Sequence, residues 1–170
     1  PAKSWGGERF VSLARQLLLS YPDCRIVVHC GPGERDDARS IESSLNDPRV
    51  RSLADVNKLP FGLSKALLRR ASVVITTDSG PRHIAAAFQT STVVLHGPMD
   101  PRLGMSDHKN LVELRKELPC SPCGQRICPL EHHDCMVELS VHDVARATGE
   151  LLAMVSCKVK GLPSNLENVA

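Results

Sequence analysis

The feature that most constrains the fold is a β-branched run, Ser72-Val-Val-Ile-Thr-Thr77, that meets Asp78-Ser-Gly-Pro81 with no linker between them. Valine, isoleucine and threonine are stiff at χ1 and pack well on a pleated surface, so the run reads as a buried strand. Proline just behind Ser79-Gly80 suits the first position of a helix, where its missing N–H costs nothing. A helix is expected through Ile84 to Phe88, and Ser91-Thr-Val-Val-Leu-His96 is the next strand. Strand, helix and strand in direct succession form the unit of a parallel sheet.

The rest of the chain repeats that alternation. Glu8 to Leu19 places Phe10, Leu13, Ala14, Leu17 and Leu18 on one helical face, and Pro22 ends it. Arg25-Ile-Val-Val-His-Cys30 is expected as a buried strand, Gly31-Pro-Gly33 as a turn, and Glu34 to Leu45 as a more polar helix. A short strand is expected around Val50 to Val56. A helix over Gly62 to Ala71 should carry Leu63, Ala66, Leu67 and Arg70 at helical spacing, and Leu111 to Leu114 is a further strand candidate. Ser140, with Asp143 three residues on, resembles a capping box. It opens a last helix with Val141, Val144, Ala145, Thr148, Leu152 and Val155 as its buried stripe.

The fold class is therefore α/β, a Rossmann-like parallel sheet with helices on both faces. Ligands of such sheets bind at the carboxyl ends of the strands, near the reversal of strand order. That rule selects the turns after Cys30, Thr77 and His96. The chain opens in a loop and goes straight into a helix, so the first strand of this domain is expected upstream of Pro1.

A length of 170 residues suits one ordinary domain, and aromatic residues at 3% leave the core to Leu, Val, Ile and Ala. A formal charge of +2 argues against a nucleic-acid binder, whose basic patch shows in the total. No apolar run approaches the length of a membrane span and no signal peptide opens the chain. The expected location is the cytoplasm, with peripheral attachment to a membrane surface left open.

The chemistry concentrates in Thr77-Asp78-Ser79-Gly80-Pro81-Arg82-His83. Gly80 permits a tight turn and close backbone approach, and the free N–H groups of the first helical turn suit a phosphate. The Asp78 carboxylate can accept hydrogen bonds from sugar hydroxyls, and His83 can donate to a phosphate oxygen. The competing reading makes Asp78 or Ser79 a plain cap and His83 a surface residue. Cys120, Cys123, Cys128 and Cys135, four of seven cysteines, could supply thiolates to a structural zinc, with His132 and His133 as other donors. The alternative is a structural loop of reduced thiols, and no metal is assigned.

The stretch ITTDSGPRHIAAAF, followed by STVVLHGPMDP, closely resembles the donor-site signature of the ADP-heptose:lipopolysaccharide heptosyltransferases, glycosyltransferase family 9. In order along the chain, AKSWGGERFVSLARQL, VVHCGPGERDDA and PCSPCGQRICPLEHHDCM with LSVHDV resemble further family segments, from Lys3 to Leu152. The resemblance implies a GT-B enzyme of two Rossmann-like domains, of which residues 1–156 are the carboxyl-terminal, nucleotide-sugar-binding half and 157–170 a tail. It implies that Lys3 contacts the donor phosphates and that Glu34 lies near the ribose. Asp78, Ser79, Gly80 and His83 would form the sugar- and phosphate-binding turn, and Leu59 would line the adenine pocket. For Glu34 a plain helix start, and for Leu59 core packing, stand beside those roles.

The resemblance also implies a single inverting displacement on ADP-heptose, with no cofactor and no essential metal. A glycolipid acceptor and the general base would both belong to the amino-terminal domain, so no catalytic residue is assigned in this chain. The alternatives are another GT-B nucleotide-sugar enzyme, an epimerase of the same fold, or a non-enzymatic, zinc-stabilised α/β interaction module.

Overall fold

The structure, a computed structural model, describes residues 2–56, 59–104 and 107–160, with side chains as far as Val155. Its elements alternate as expected: α1 (Gly7–Ser20), β1 (Ile26–Val28), α2 (Arg35–Leu45), β2 (Val50–Ser52), α3 (Phe61–Arg70), β3 (Val74–Thr77), α4 (Gly80–Ala87), β4 (Thr92–His96), β5 (Leu111–Arg115), α5 (Asp134–Val137) and α6 (Val141–Lys160). Every strand pairing is parallel. Among the described residues no helix is long and apolar enough to cross a membrane.

The strands form two ladders rather than one continuous sheet. β1 pairs with β2, and β4 lies between β3 and β5. The central strand is buried from end to end, which is why its sequence shows no polar alternation. One face packs on α1, α5 and α6, where Leu13, Leu17, Met136, Val144 and Leu151 meet Val93 and Leu95. A separate cluster of Leu68, Val74 and Ala85 joins β3 to α3 and α4. Ile26 of β1, Val73 just before β3 and Ile75 within it all reach the main core, so both ladders flank the same apolar centre.

Trp5, the one tryptophan, is the largest fully buried side chain. Its indole N–H donates to the Leu139 carbonyl at 2.9 Å, and its ring meets Phe10 edge-on with centroids 5.0 Å apart. A buried indole keeps its N–H bonded while its surface fills the core.

Several boundaries and faces differ from expectation. The strands at Ile26 and Val50 are three residues each, and Val27 is half exposed. In α3 the buried residues are Ser64 and Leu68, whereas Leu63 and Ala66 are exposed. Small Ser64 fits there because its hydroxyl lies 3.0 Å from His29 Nε2, closing α3 onto the end of β1. In α6 the stripe includes Ala147 and Leu151, with Leu152 at its margin. Ser140 caps that helix as expected: its hydroxyl accepts from the Asp143 amide at 3.1 Å and donates to the Asp143 carboxylate at 2.7 Å. The α6 backbone continues to Lys160, past the domain end placed at 156. Residues 161–170 lie outside the described residues.

Two outcomes follow from this packing. Trp5→Ala should lower the unfolding free energy by about 3–5 kcal/mol, measured by urea titration with circular dichroism. The second concerns His29, His96 and His108, which burial holds below the ordinary imidazole value of 6.5. The native state resists a proton that the unfolded chain accepts, so stability is complete above pH about 6.5 and falls as pH drops below it. The urea midpoint should be lower at pH 5 than at pH 7.5. Equal midpoints would show that these imidazoles titrate alike in both states.

Candidate donor site

The turn after β3 is built by its neighbours. The Asp78 amide donates to the Leu95 carbonyl at 3.3 Å, extending the β3–β4 ladder by one residue. Ser79 is extended, with φ −146° and ψ −179°, and its hydroxyl turns back to the Thr77 carbonyl at 3.3 Å. It makes no side-chain cap to the helix; Pro81 has no amide and the Arg82 amide donates to the Ser79 carbonyl at 3.2 Å, so the uncapped amide of the first turn is that of Gly80. The helix begins at Gly80, and Pro81 is its second residue rather than its first. A Cβ at Gly80 would meet nothing within 4 Å. The turn itself does not demand glycine, and the space above Gly80 is open to a ligand.

Lys3 and Asp78 are brought together across 75 residues of sequence. The Lys3 ammonium donates to the Asp78 carboxylate and to its backbone carbonyl, both at 2.9 Å. The segment that carries Lys3 is held on either side. The Ala2 amide donates to the Arg126 carbonyl at 3.0 Å, and Trp5 is anchored on Leu139.

Arg82, one turn into α4, is the functional neighbour that sequence reasoning missed. Its side chain is 4% exposed and donates to the other Asp78 oxygen at 2.6 Å. Its second amino group donates to the Gly104 carbonyl and stands 3.5 Å from Glu113 on β5. Glu113 in turn accepts from His96 Nε2 at 2.9 Å. A carboxylate only accepts, so that nitrogen carries the proton, and the buried Nδ1 has no partner. Burial works to raise the Asp78 carboxyl, but hydrogen bonds from Lys3 and Arg82 outweigh it and hold the group below the ordinary 3.8. Arg82 was findable: it lies four residues after Asp78 and three before buried Ala85, on the inward face of the helix.

The other candidate residues stand apart from this cluster. His83 is exposed on α4. Glu34 lies in the short 3₁₀ turn between β1 and α2, exposed, and its carboxylate accepts from the Gly31 amide at 2.7 Å. It makes no contact with Lys3 or Asp78 among the hydrogen bonds and ion pairs of the described residues. Leu59 is half-buried just before α3.

In the cysteine segment all four thiols are free. Cys135 sits in the core on α5, Cys123 is exposed, and Cys120 and Cys128 are half-buried. Burial pushes the Cys135 thiol up, and the three other cysteines push it further the same way. Among the described residues no group of three or more His, Cys, Asp or Glu is placed to hold a metal ion. The segment acts as a brace. The Ser121 hydroxyl donates to the Gly97 carbonyl at 3.0 Å, and the Gly124 amide donates to the Pro98 carbonyl at 2.7 Å.

Comparison with known proteins agrees with this architecture. Residues 1–133 match the model of "Glycosyltransferase family 9 (heptosyltransferase)". The chain is similar to "Lipooligosaccharide heptosyltransferase 2" of Campylobacter jejuni, at 27% identity over 152 residues, covering 89% of this chain and 47% of that protein. It is similar to "Lipopolysaccharide heptosyltransferase 2" of Salmonella typhimurium, at 29% over 104 residues, 59% of this chain and 29% of that one. In three dimensions it resembles E. coli ADP-heptose lps heptosyltransferase II, with TM-score 0.76 and 22% identity over 92% of this chain and 44% of that one. It also resembles E. coli heptosyltransferase WaaC with ADP-2-deoxy-2-fluoro heptose, with TM-score 0.66 and 20% identity over 88% and 39%. The chain spans about half the length of the first of these relatives. With a family model matched over most of its length and the parallel α/β fold in place, the chain belongs to glycosyltransferase family 9.

Proposed function

We propose that this chain is the nucleotide-sugar-binding half of a heptosyltransferase that takes ADP-heptose as donor and a lipopolysaccharide-type glycolipid as acceptor. The observation that carries this reading is the Lys3–Asp78 clasp, an ammonium and a carboxylate at the carboxyl end of β3, beside the start of α4, which no side chain caps. A parallel α/β sheet binds ligands at that edge, and a helix start favours an anion. E. coli heptosyltransferase WaaC, which shares this fold, is known with ADP and with ADP-2-deoxy-2-fluoro heptose.

In this reading Lys3, His83 and the amides near Gly80 hold the diphosphate, and Asp78 accepts hydrogen bonds from sugar hydroxyls, with Ser79 beside it. Glu34, from its own loop, faces the ribose, and Leu59 the adenine. An acceptor hydroxyl attacks the anomeric carbon while a base from the other domain takes its proton. The bond to the diphosphate breaks, and the charge that develops on it meets donors already in place. That domain would lie outside this chain, which spans about half the length of the relatives it matches. The enzyme would work in the cytoplasm, peripherally at the inner membrane face, where its acceptor lies.

Calorimetry tests the donor claim. ADP should bind saturably and more tightly than GDP or UDP, and Lys3→Ala should weaken it by about tenfold or more, the worth of a hydrogen bond to a charged group. Equal affinity for all three nucleotides would remove the case for ADP. Failure of every nucleotide to bind, with the amino-terminal half restored, would end the donor-site reading.

A further inference from the structure

Asp78 has two cationic partners of unlike character. Lys3, at its Oδ2, has a side chain 40% exposed, so releasing the pair returns the ammonium to water at little cost. Arg82, at its Oδ1, is 4% exposed, and its guanidinium would be stranded without acceptors if it moved. Arg82 is also shaped in. A Cβ at Gly104 would lie 2.7 to 2.9 Å from the three guanidinium heavy atoms Nη2, Cζ and Nη1. Glu113, 3.5 Å from Nη2, is itself oriented by buried His96.

Resting on the donor-site reading above, we infer that Arg82 is the positioning residue that fixes Asp78, and that Lys3 is its exchangeable partner, surrendered to the phosphates of an incoming nucleotide-sugar. The charges are matched beforehand: Asp78 and Glu113 against Lys3 and Arg82. An arriving diphosphate draws the mobile cation and leaves the fixed one. One movement then supplies an ammonium to the phosphate and frees Asp78 Oδ2 to accept a sugar hydroxyl. Arg82 meanwhile keeps the carboxylate ionised and aimed. Lysine could not replace it, because one ammonium cannot span Asp78, Gly104 and Glu113 as the planar fork does.

The test uses this chain with Arg82→Lys, and with Gly104→Ala as a milder change that disturbs the same guanidinium. Two readouts are needed: the Asp78 carboxyl titration by NMR, and affinities for ADP and ADP-heptose by calorimetry. Both variants should raise the pH at which Asp78 titrates. Both should weaken ADP-heptose by about tenfold while changing ADP less than about twofold, since only the sugar uses Asp78. Lys3→Met, by contrast, should weaken both ligands. Folded variants with unchanged Asp78 titration and unchanged preference for ADP-heptose over ADP would overturn the role given to Arg82. If the unaltered protein binds neither ligand even with the amino-terminal half restored, the donor reading is what fails, and the titration still decides whether Arg82 governs Asp78.

Discussion

A buried guanidinium sets the terms for everything around it. Charge withdrawn from water must be paired and hydrogen-bonded, and removing one partner of such a pair typically costs about 3–5 kcal/mol. Arg82 meets that requirement with acceptors from three separate places: the turn after β3, the carbonyl of Gly104 beyond β4, and Glu113 in β5. Satisfying one side chain therefore ties the turn after β3, the loop beyond β4 and the middle of β5 into one corner. Asp78 is held within that corner, and Lys3 closes over it from the far side.

The support extends into the cysteine segment. Its hydrogen bonds to Gly97 and Pro98 join it to the exit of β4, and the Arg126 carbonyl receives the Ala2 amide. Gly97 is needed at that junction, since a Cβ there would stand 2.6 Å from the Met136 sulfur. A run of cysteines at metal-like spacing thus bears on the site through packing. It holds the strap on which Lys3 is carried.

Much of this was legible in the residues. Strands buried on both faces announce themselves, because nothing polar interrupts Val93-Val94-Leu95, and a Ser-Gly-Pro turn marks where a strand gives way to a helix. The turn offered Asp78 as a sugar contact or a plain cap, and the family resemblance favoured the first. Lys3 lacked even that: a lysine near a terminus has no local signature of a partner 75 residues away, and only the family resemblance brought it in. Arg82 went unread because arginine usually signals surface, and exposed His83 beside it drew the attention. Glu34 illustrates the opposite case, a candidate whose carboxylate is engaged with its own turn at Gly31. The division into two ladders was beyond sequence reasoning, since periodicity reports which residues face inward and not which strands share hydrogen bonds. In α3, apolar spacing favoured Leu63, but the contact between Ser64 and His29 rotated the helix away from it.

The anchoring of Trp5 on Leu139 carries a consequence for how the protein comes into being. That hydrogen bond joins residues 134 positions apart, and it lies two residues from the lysine that completes the Asp78 clasp. Contacts so distant in sequence form late, because the intervening chain must be ordered before their ends can meet. A ribosome-bound chain that has released α1 through β5 would have the turn, the buried arginine and the aspartate, and still lack a seat for Trp5 and the lysine beside it. The Asp78 clasp therefore closes only after the segment around Leu139 is in place, so this corner of the fold is completed late.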